Sequence, residues 1–135
     1  MKYCYSLITF LLLIFVVGCG PGHVPLKGKV TFSDDGTPLT IGKVILSQPN
    51  YQSRGDLDAN GEFVMESLKV GDGLPPGTYG VSIDGAIEYG DFGGGGYSLV
   101  DPKWASPETS GLTINVDRKT KTLDIQVDRN PQPRR

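Results

Sequence analysis

Thr78-Tyr79-Gly80-Val81-Ser82-Ile83-Asp84 decides the fold class. Tyr79, Val81 and Ile83 take every second position, with Thr78, Gly80, Ser82 and Asp84 between them. Successive side chains of a strand point to opposite faces, so this stretch has one apolar face and one wet face. The same period of two continues in both directions. Upstream, Leu26, Val30 and Phe32 alternate with Lys27, Lys29, Thr31 and Ser33. Val44 and Leu46 alternate with Lys43, Ile45 and Ser47, and Phe63 and Met65 with Glu62, Val64 and Glu66. Downstream, Leu112, Ile114 and Val116 alternate with Thr113, Asn115 and Asp117, and Leu123, Ile125 and Val127 with Asp124, Gln126 and Asp128. A shorter run over 53–58 reads as an edge strand. Asp35-Gly36 and Asn60-Gly61 supply the positive φ angles of tight hairpins, and Gly73-Leu74-Pro75-Pro76-Gly77 is a rigid turn leading into Thr78. No window carries a helical stripe of useful length. These patterns predict an all-β protein, an antiparallel two-layer sandwich of about seven strands. A closed barrel fits the unequal connections less well.

One segment, 85–111, breaks the pattern. Its middle, Gly90-Asp91-Phe92-Gly93-Gly94-Gly95-Gly96-Tyr97, cannot hold one conformation by itself. Connections of this length are usually functional or mobile. The segment should divide into a mobile part over 90–96 and a fixed part over 101–111, the latter tacked down by Trp104. Tyr89, Phe92, Tyr97 and Trp104 cluster along it. Exposed aromatics on a sandwich loop can stack on a sugar or hold a peptide, so these four are the candidate ligand-binding residues. The competing reading is that they close one end of the core.

The first residues address the compartment. Lys2 is the only charge in the first 26 positions, and 7–17 (LITFLLLIFVV) is apolar except for Thr9. A short positive end, an apolar stretch and small residues before a cut describe a secretory signal; the run is short for a membrane span of about 20 residues. Val16-Val17-Gly18-Cys19 closes the run and resembles the lipobox of bacterial lipoproteins. That resemblance implies a signal peptide over 1–18, cleavage before Cys19, and acylation of Cys19. A tether over 19–25, a sandwich domain over 26–128 and a disordered tail over 129–135 complete the expected organisation. Cys4 leaves with the signal and Cys19 carries lipid, so the two cysteines of the chain form no disulfide in the domain. The domain must then hold together by its core alone, for which about 100 residues suffice.

Further motifs point to a family. Leu26-Lys27-Gly28-Lys29-Val30-Thr31-Phe32 followed by Gly36-Thr37-Pro38-Leu39 resembles the "G-x-V-x-x-x-G-x-P-L" opening of carboxypeptidase-regulatory-like, transthyretin-like domains. Asp58-Ala59-Asn60-Gly61-Glu62-Phe63 resembles their "D-x-x-G-x-F" hairpin, and Pro76-Gly77-Thr78-Tyr79-Gly80-Val81 their "P-G-x-Y-x-V" strand start. The stretch from Lys103 through Trp104, Pro107 and Thr109-Ser110-Gly111-Leu112 is similar to the "K-Y-x-x-P-x-T-S-G-L" of small bacterial lipoproteins carrying this domain, with Trp104 where Tyr is usual. The resemblance implies a seven-stranded Greek-key sandwich. It implies little about activity, because such domains are accessory modules and fold does not give function.

Composition and motif chemistry narrow the function classes. Lys and Arg number 13 against 15 Asp and Glu, a net charge of −2, which argues against a nucleic-acid binder. No catalytic residue, cofactor or metal site is expected. The single His, His23, lies in the tether, and no Ser has the motif of an activated nucleophile. Zinc lacks its Cys and His ligands. Asp56-x-Asp58-x-Asn60-Gly61 matches the first half of a calcium loop, but the twelfth position is Ser67, which offers no bidentate carboxylate. The expected protein is therefore a non-catalytic, lipid-anchored β-sandwich of the bacterial cell envelope. It would meet the membrane through its lipid and an envelope protein or glycan through 85–111, as a structural or interaction protein or as a dedicated glycan- or peptide-binding module.

Overall fold

A computed structural model describes residues 22–69 and 71–132. The expected signal peptide, the lipobox-like motif and Cys19 lie outside these residues. Nine strands follow in order: β1 (Lys27–Phe32), β2 (Lys43–Gln48), β3 (Tyr51–Asp56), β4 (Glu62–Val64), β5 (Gly77–Asp84), β6 (Ile87–Tyr89), β7 (Gly96–Ser98), β8 (Thr113–Val116) and β9 (Thr122–Val127). A single helical turn, α1 (Pro107–Ser110), precedes β8. Seven strands make the sandwich, as a three-stranded sheet β4-β1-β9 facing a four-stranded sheet β3-β2-β5-β8, and β6 and β7 form a separate hairpin. The fold is an all-β sandwich, with β3 on a sheet edge as its short run suggested.

The core is built from the residues that the alternation singled out. Val30 and Phe32 of β1, Val44 and Leu46 of β2, Tyr79, Val81 and Ile83 of β5, Val116 of β8 and Ile125 and Val127 of β9 are all buried in one cluster. The sheets are joined along one side where Arg54 and Glu66 exchange backbone bonds of 3.1 and 2.8 Å. The Asn60-Gly61 turn forms as expected. Gly61 has φ 73°, and a Cβ there would lie 2.8 Å from the Val30 carbonyl oxygen. Asp58 closes the turn, its Oδ1 accepting from the backbone N–H groups of Asn60 and Glu62.

Four features differ from the sequence expectations. First, β1 and β9 run parallel, with Val30 opposite Ile125, so the sandwich is not antiparallel throughout. Side-chain alternation is the same in either direction, and only the chain path decides it. Second, the tether is shorter than 19–25. Val24 is buried and exchanges backbone bonds with Leu74 at 2.7 and 3.1 Å, so the folded unit begins before Leu26. Third, the tail does not fray at Arg129. Val100 bridges Arg129, and the Asn130 N–H donates to the Leu99 carbonyl at 3.0 Å. Fourth, Ile45, placed by alternation on the wet face of β2, is buried.

Strand directions define two ends. β5 starts beside Val24 and Leu74, where the described chain begins, and climbs roughly 25 Å at about 3.3 Å per residue to Asp84. The 117–121 turn between β8 and β9 lies at the starting end, and the β6–β7 hairpin at the far end.

Candidate functional site

The far end is capped by the 85–111 segment, whose structure explains which of its aromatics are available. Three cross-strand pairs hold the hairpin: Ile87 with Ser98, Glu88 with Tyr97, and Tyr89 with Gly96. Gly96 has no Cβ, and the Tyr89 ring and the Ile87 side chain lie over the space; a Cβ there would come within 2.5 Å of Ile87 Cγ2 and 3.1 Å of Tyr89 Cε1. This is the packing of an aromatic over a cross-strand glycine that stabilises short hairpins. A 3₁₀ turn over Asp91–Gly93 forms the tip. Phe92 sits there in the left-handed region, φ 65° and ψ 31°, with its side chain fully exposed. A bulky residue in that conformation is uncommon and costs energy that a glycine would not.

The four sequence candidates separate. Phe92 and Tyr89, the latter 73% exposed, present their rings to solvent at the tip. Tyr97 is half-buried and its hydroxyl donates to the Gln132 carbonyl, which makes it part of the hairpin's support. Trp104 is 4% exposed and belongs to the core, so it cannot contact a ligand in this structure. The signals for Trp104 were its flanking prolines. Pro102 and Pro107 open the 3₁₀ turn Pro102–Ala105 and α1, and Asp101 caps the first through the Lys103 N–H. Thr109 Oγ1 then donates to the Lys103 carbonyl at 2.6 Å and Ser110 Oγ to the Val81 carbonyl at 2.5 Å, fixing 101–111 on the sandwich. Among the described residues the Trp104 indole N–H has no partner in hydrogen-bonding geometry, although it is close enough to Asp128 to favour that carboxylate's ionised form.

The residues that sequence reasoning missed are those of the supposed tail. Asn130 Nδ2 donates to the Ser98 carbonyl at 3.0 Å, bracing the hairpin base. Arg129 lies 3.8 Å over the Phe32 ring and reaches Asp34 at 2.8 Å, Asp35 at 2.9 Å and Thr37 Oγ1 at 2.7 Å. The Thr37 backbone N–H and hydroxyl, then the Arg129 charge, draw the Asp35 carboxyl down to about 2. Lys103 pairs with Asp128, holding the Asp128 pKa low and its own high. No local pattern announces these contacts, because Arg129 and Asp34 are 95 positions apart.

Elsewhere a shallow groove of about 640 Å³ runs past Lys27, Lys29, Glu62, Glu66 and Asp124, with both charge signs. Among the described residues no group of three or more His, Cys, Asp or Glu side chains is placed to hold a metal ion. His23 is exposed and edge-on to the Tyr51 ring at 6.4 Å.

No protein-family model matches the chain, and no curated protein matches it. A solved structure of a variant of BcpA, the major pilin subunit of Bacillus cereus, is similar at a TM-score of 0.50 and 16% identity. The likeness covers 82% of this chain and 30% of that one, so the chain spans less than a third of the pilin subunit's length. At this identity the likeness is one of fold, a β-sandwich.

Proposed function

We propose that this chain is an exported lipoprotein of the bacterial cell envelope, anchored through Cys19, whose sandwich serves a non-catalytic structural or interaction role. The carboxypeptidase-regulatory-like, transthyretin-like reading of the domain belongs to this proposal and rests on its motifs. One observation carries the functional part. The chain emerges beside Val24 at one end of β5, and Phe92 and Tyr89 are displayed at the other. A lipid at Cys19 would therefore hold the aromatic tip away from the bilayer, where an envelope partner can reach it. The sandwich likeness to part of a pilin subunit, a surface structural protein, supports a role of that kind. The exposed, backbone-strained Phe92 favours a second, sharper reading, a glycan- or peptide-binding module with Tyr89 and Phe92 as its contact.

Metabolic labelling with a fatty-acid analogue tests the anchor. Label should be lost in Cys19→Ser and kept in Cys4→Ser; label on Cys19→Ser refutes the lipoprotein reading. Chromatography of solubilised envelope then separates the two roles. Co-purification of a defined protein favours the structural reading. Retention on polysaccharide that Phe92→Ala abolishes favours the glycan module.

A further inference from the structure

The chain is acidic as a whole, yet its charge is sorted by end. At the end where the described chain begins, Lys27 opens β1, Lys69 lies in the loop before Leu74, and Arg118, Lys119 and Lys121 occupy the β8–β9 turn. All five are exposed, and none forms an ion pair among the described residues. Of the 15 acidic side chains, Asp72 and Asp117 lie in the loops that carry Lys69 and the 118–121 cluster, and both carboxylates are engaged by those loops, while Lys27 shares its groove with Glu62, Glu66 and Asp124. Asp72 accepts from the N–H groups of Ser67, Leu68 and Lys69, and Asp117 from those of Lys119 and Thr120. The other 13 acidic groups lie outside these loops, and of the five further described cations three are already ion-paired.

The same end carries apolar surface. Leu68 is 92% exposed beside Lys69. A hollow of about 370 Å³ is floored by Val24, Pro25 and Val64 and rimmed by Lys27, Arg118 and Lys121. Cations around an apolar floor match the boundary of an anionic bilayer, where phosphates sit above the first acyl carbons.

We infer that this basic end docks on the anionic phospholipid surface beside the anchor and so sets the domain upright with its hairpin outermost. The inference rests on acylation at Cys19. Four residues lie between Cys19 and Val24, and the five steps span at most about 18 Å, so the end bearing the cations is the one held near the headgroups. At physiological salt the attraction acts within about 8 Å. The distance is short enough for contact and too long for the lipid alone to enforce orientation.

The test uses the mature, lipidated protein with Leu68→Cys carrying a polarity-sensitive fluorophore, Cys19 being blocked by lipid. It is reconstituted into vesicles of phosphatidylcholine alone or with roughly one third phosphatidylglycerol. The probe should shift to the blue and be quenched by brominated lipid in the anionic vesicles only. Molar salt, or the pair Arg118→Gln and Lys121→Gln, should reverse this while the fatty-acid label remains. Identical probe spectra in neutral and anionic vesicles would overturn docking and leave the lipoprotein reading standing. Should the label be absent, the lipoprotein reading fails, and flotation of the unacylated chain decides docking alone. A preference for anionic vesicles that the double variant weakens roughly 25-fold, about fivefold per cation, upholds it; equal partition overturns it.

Discussion

Replacing Tyr79 separates two contributions that meet at one residue. Its ring is wholly buried between the sheets, opposite Ile114 of β8 and edge-on to Tyr51 at 6.2 Å, and its hydroxyl donates to the Pro75 carbonyl at 2.5 Å. Tyr79→Ala empties a ring-sized volume and should cost about 3–5 kcal/mol, as large aromatic truncations in cores do. Tyr79→Phe keeps the ring and removes one neutral hydrogen bond at the sheet end, where Pro75 is only half-buried and water can replace the donor. That change should cost about 1 kcal/mol. Urea unfolding reads both. With a slope of about 2 kcal/mol per molar, the midpoint falls by about 1.5–2.5 M for the alanine variant and about 0.5 M for the phenylalanine one. The chain used should begin at Gly22, because Val24 is paired with Leu74 and belongs to the core. An alanine variant within 0.5 M or so of wild type would place Tyr79 outside the core and shift β5 by one residue, turning Thr78 and Gly80 inward. Equal losses in the two variants would instead mean that the hydroxyl bond, not the ring, supplies most of the stabilisation at this position.

The far end should respond unevenly to its aromatics: Trp104→Ala lowers stability by about 3–5 kcal/mol, whereas Phe92→Gly, which relieves a left-handed residue with an exposed side chain, leaves it unchanged or raises it by about 1 kcal/mol. A reversed order in thermal melts would mean that the hairpin tip, not the 3₁₀ turn at Trp104, is built into the core. Calcium should not matter, since Asp58 Oδ1 is already bonded to two backbone N–H groups and Asp56 lies 3.8 Å from Lys43. A melting temperature several degrees higher in millimolar calcium than in chelator would refute that. Acid should destabilise the fold in a defined window. The Asp35 pKa is lowered to about 2, and those of Asp72, Asp117 and Asp128 are lowered too, chiefly by hydrogen bonds to their carboxylates. The unfolded chain thus takes up protons first, so the stabilisation is complete above the ordinary carboxylate range near 4 and drains away as pH falls toward 2. Urea midpoints measured between pH 6 and pH 2 should decline over that interval, less steeply in Asp35→Asn, and a flat profile would contradict the assignment.

What could be seen in advance follows from the range of each signal. The strands were legible because burial of one face writes a period of two into the sequence, and β5 and β9 carry it without interruption. Which faces stay wet was less legible. Gly80 alternates outward, yet Pro107 folds back onto it, so close that a Cβ at position 80 would lie 2.6 Å from the Pro107 Cβ. Alternation reports two faces and is blind to a loop that returns to cover one. The same blindness grouped Trp104 with Tyr89, Phe92 and Tyr97: nearness along the chain stands in poorly for nearness in space when a glycine-rich hairpin intervenes. Charge shows the limit most sharply. A net charge of −2 spread over the chain suggests a uniformly solvated surface. Only the strand directions, with β1 and β9 parallel and both starting beside the chain's point of emergence, bring Lys27 and Lys121 to one end and Arg129 with Asp34 to the other. The parallel pair that the sequence could not announce follows from the same geometry: β8, antiparallel to β5, delivers the 117–121 turn to the end where β1 starts, so β9 leaves from there alongside β1 and Lys121 comes to lie near Lys27.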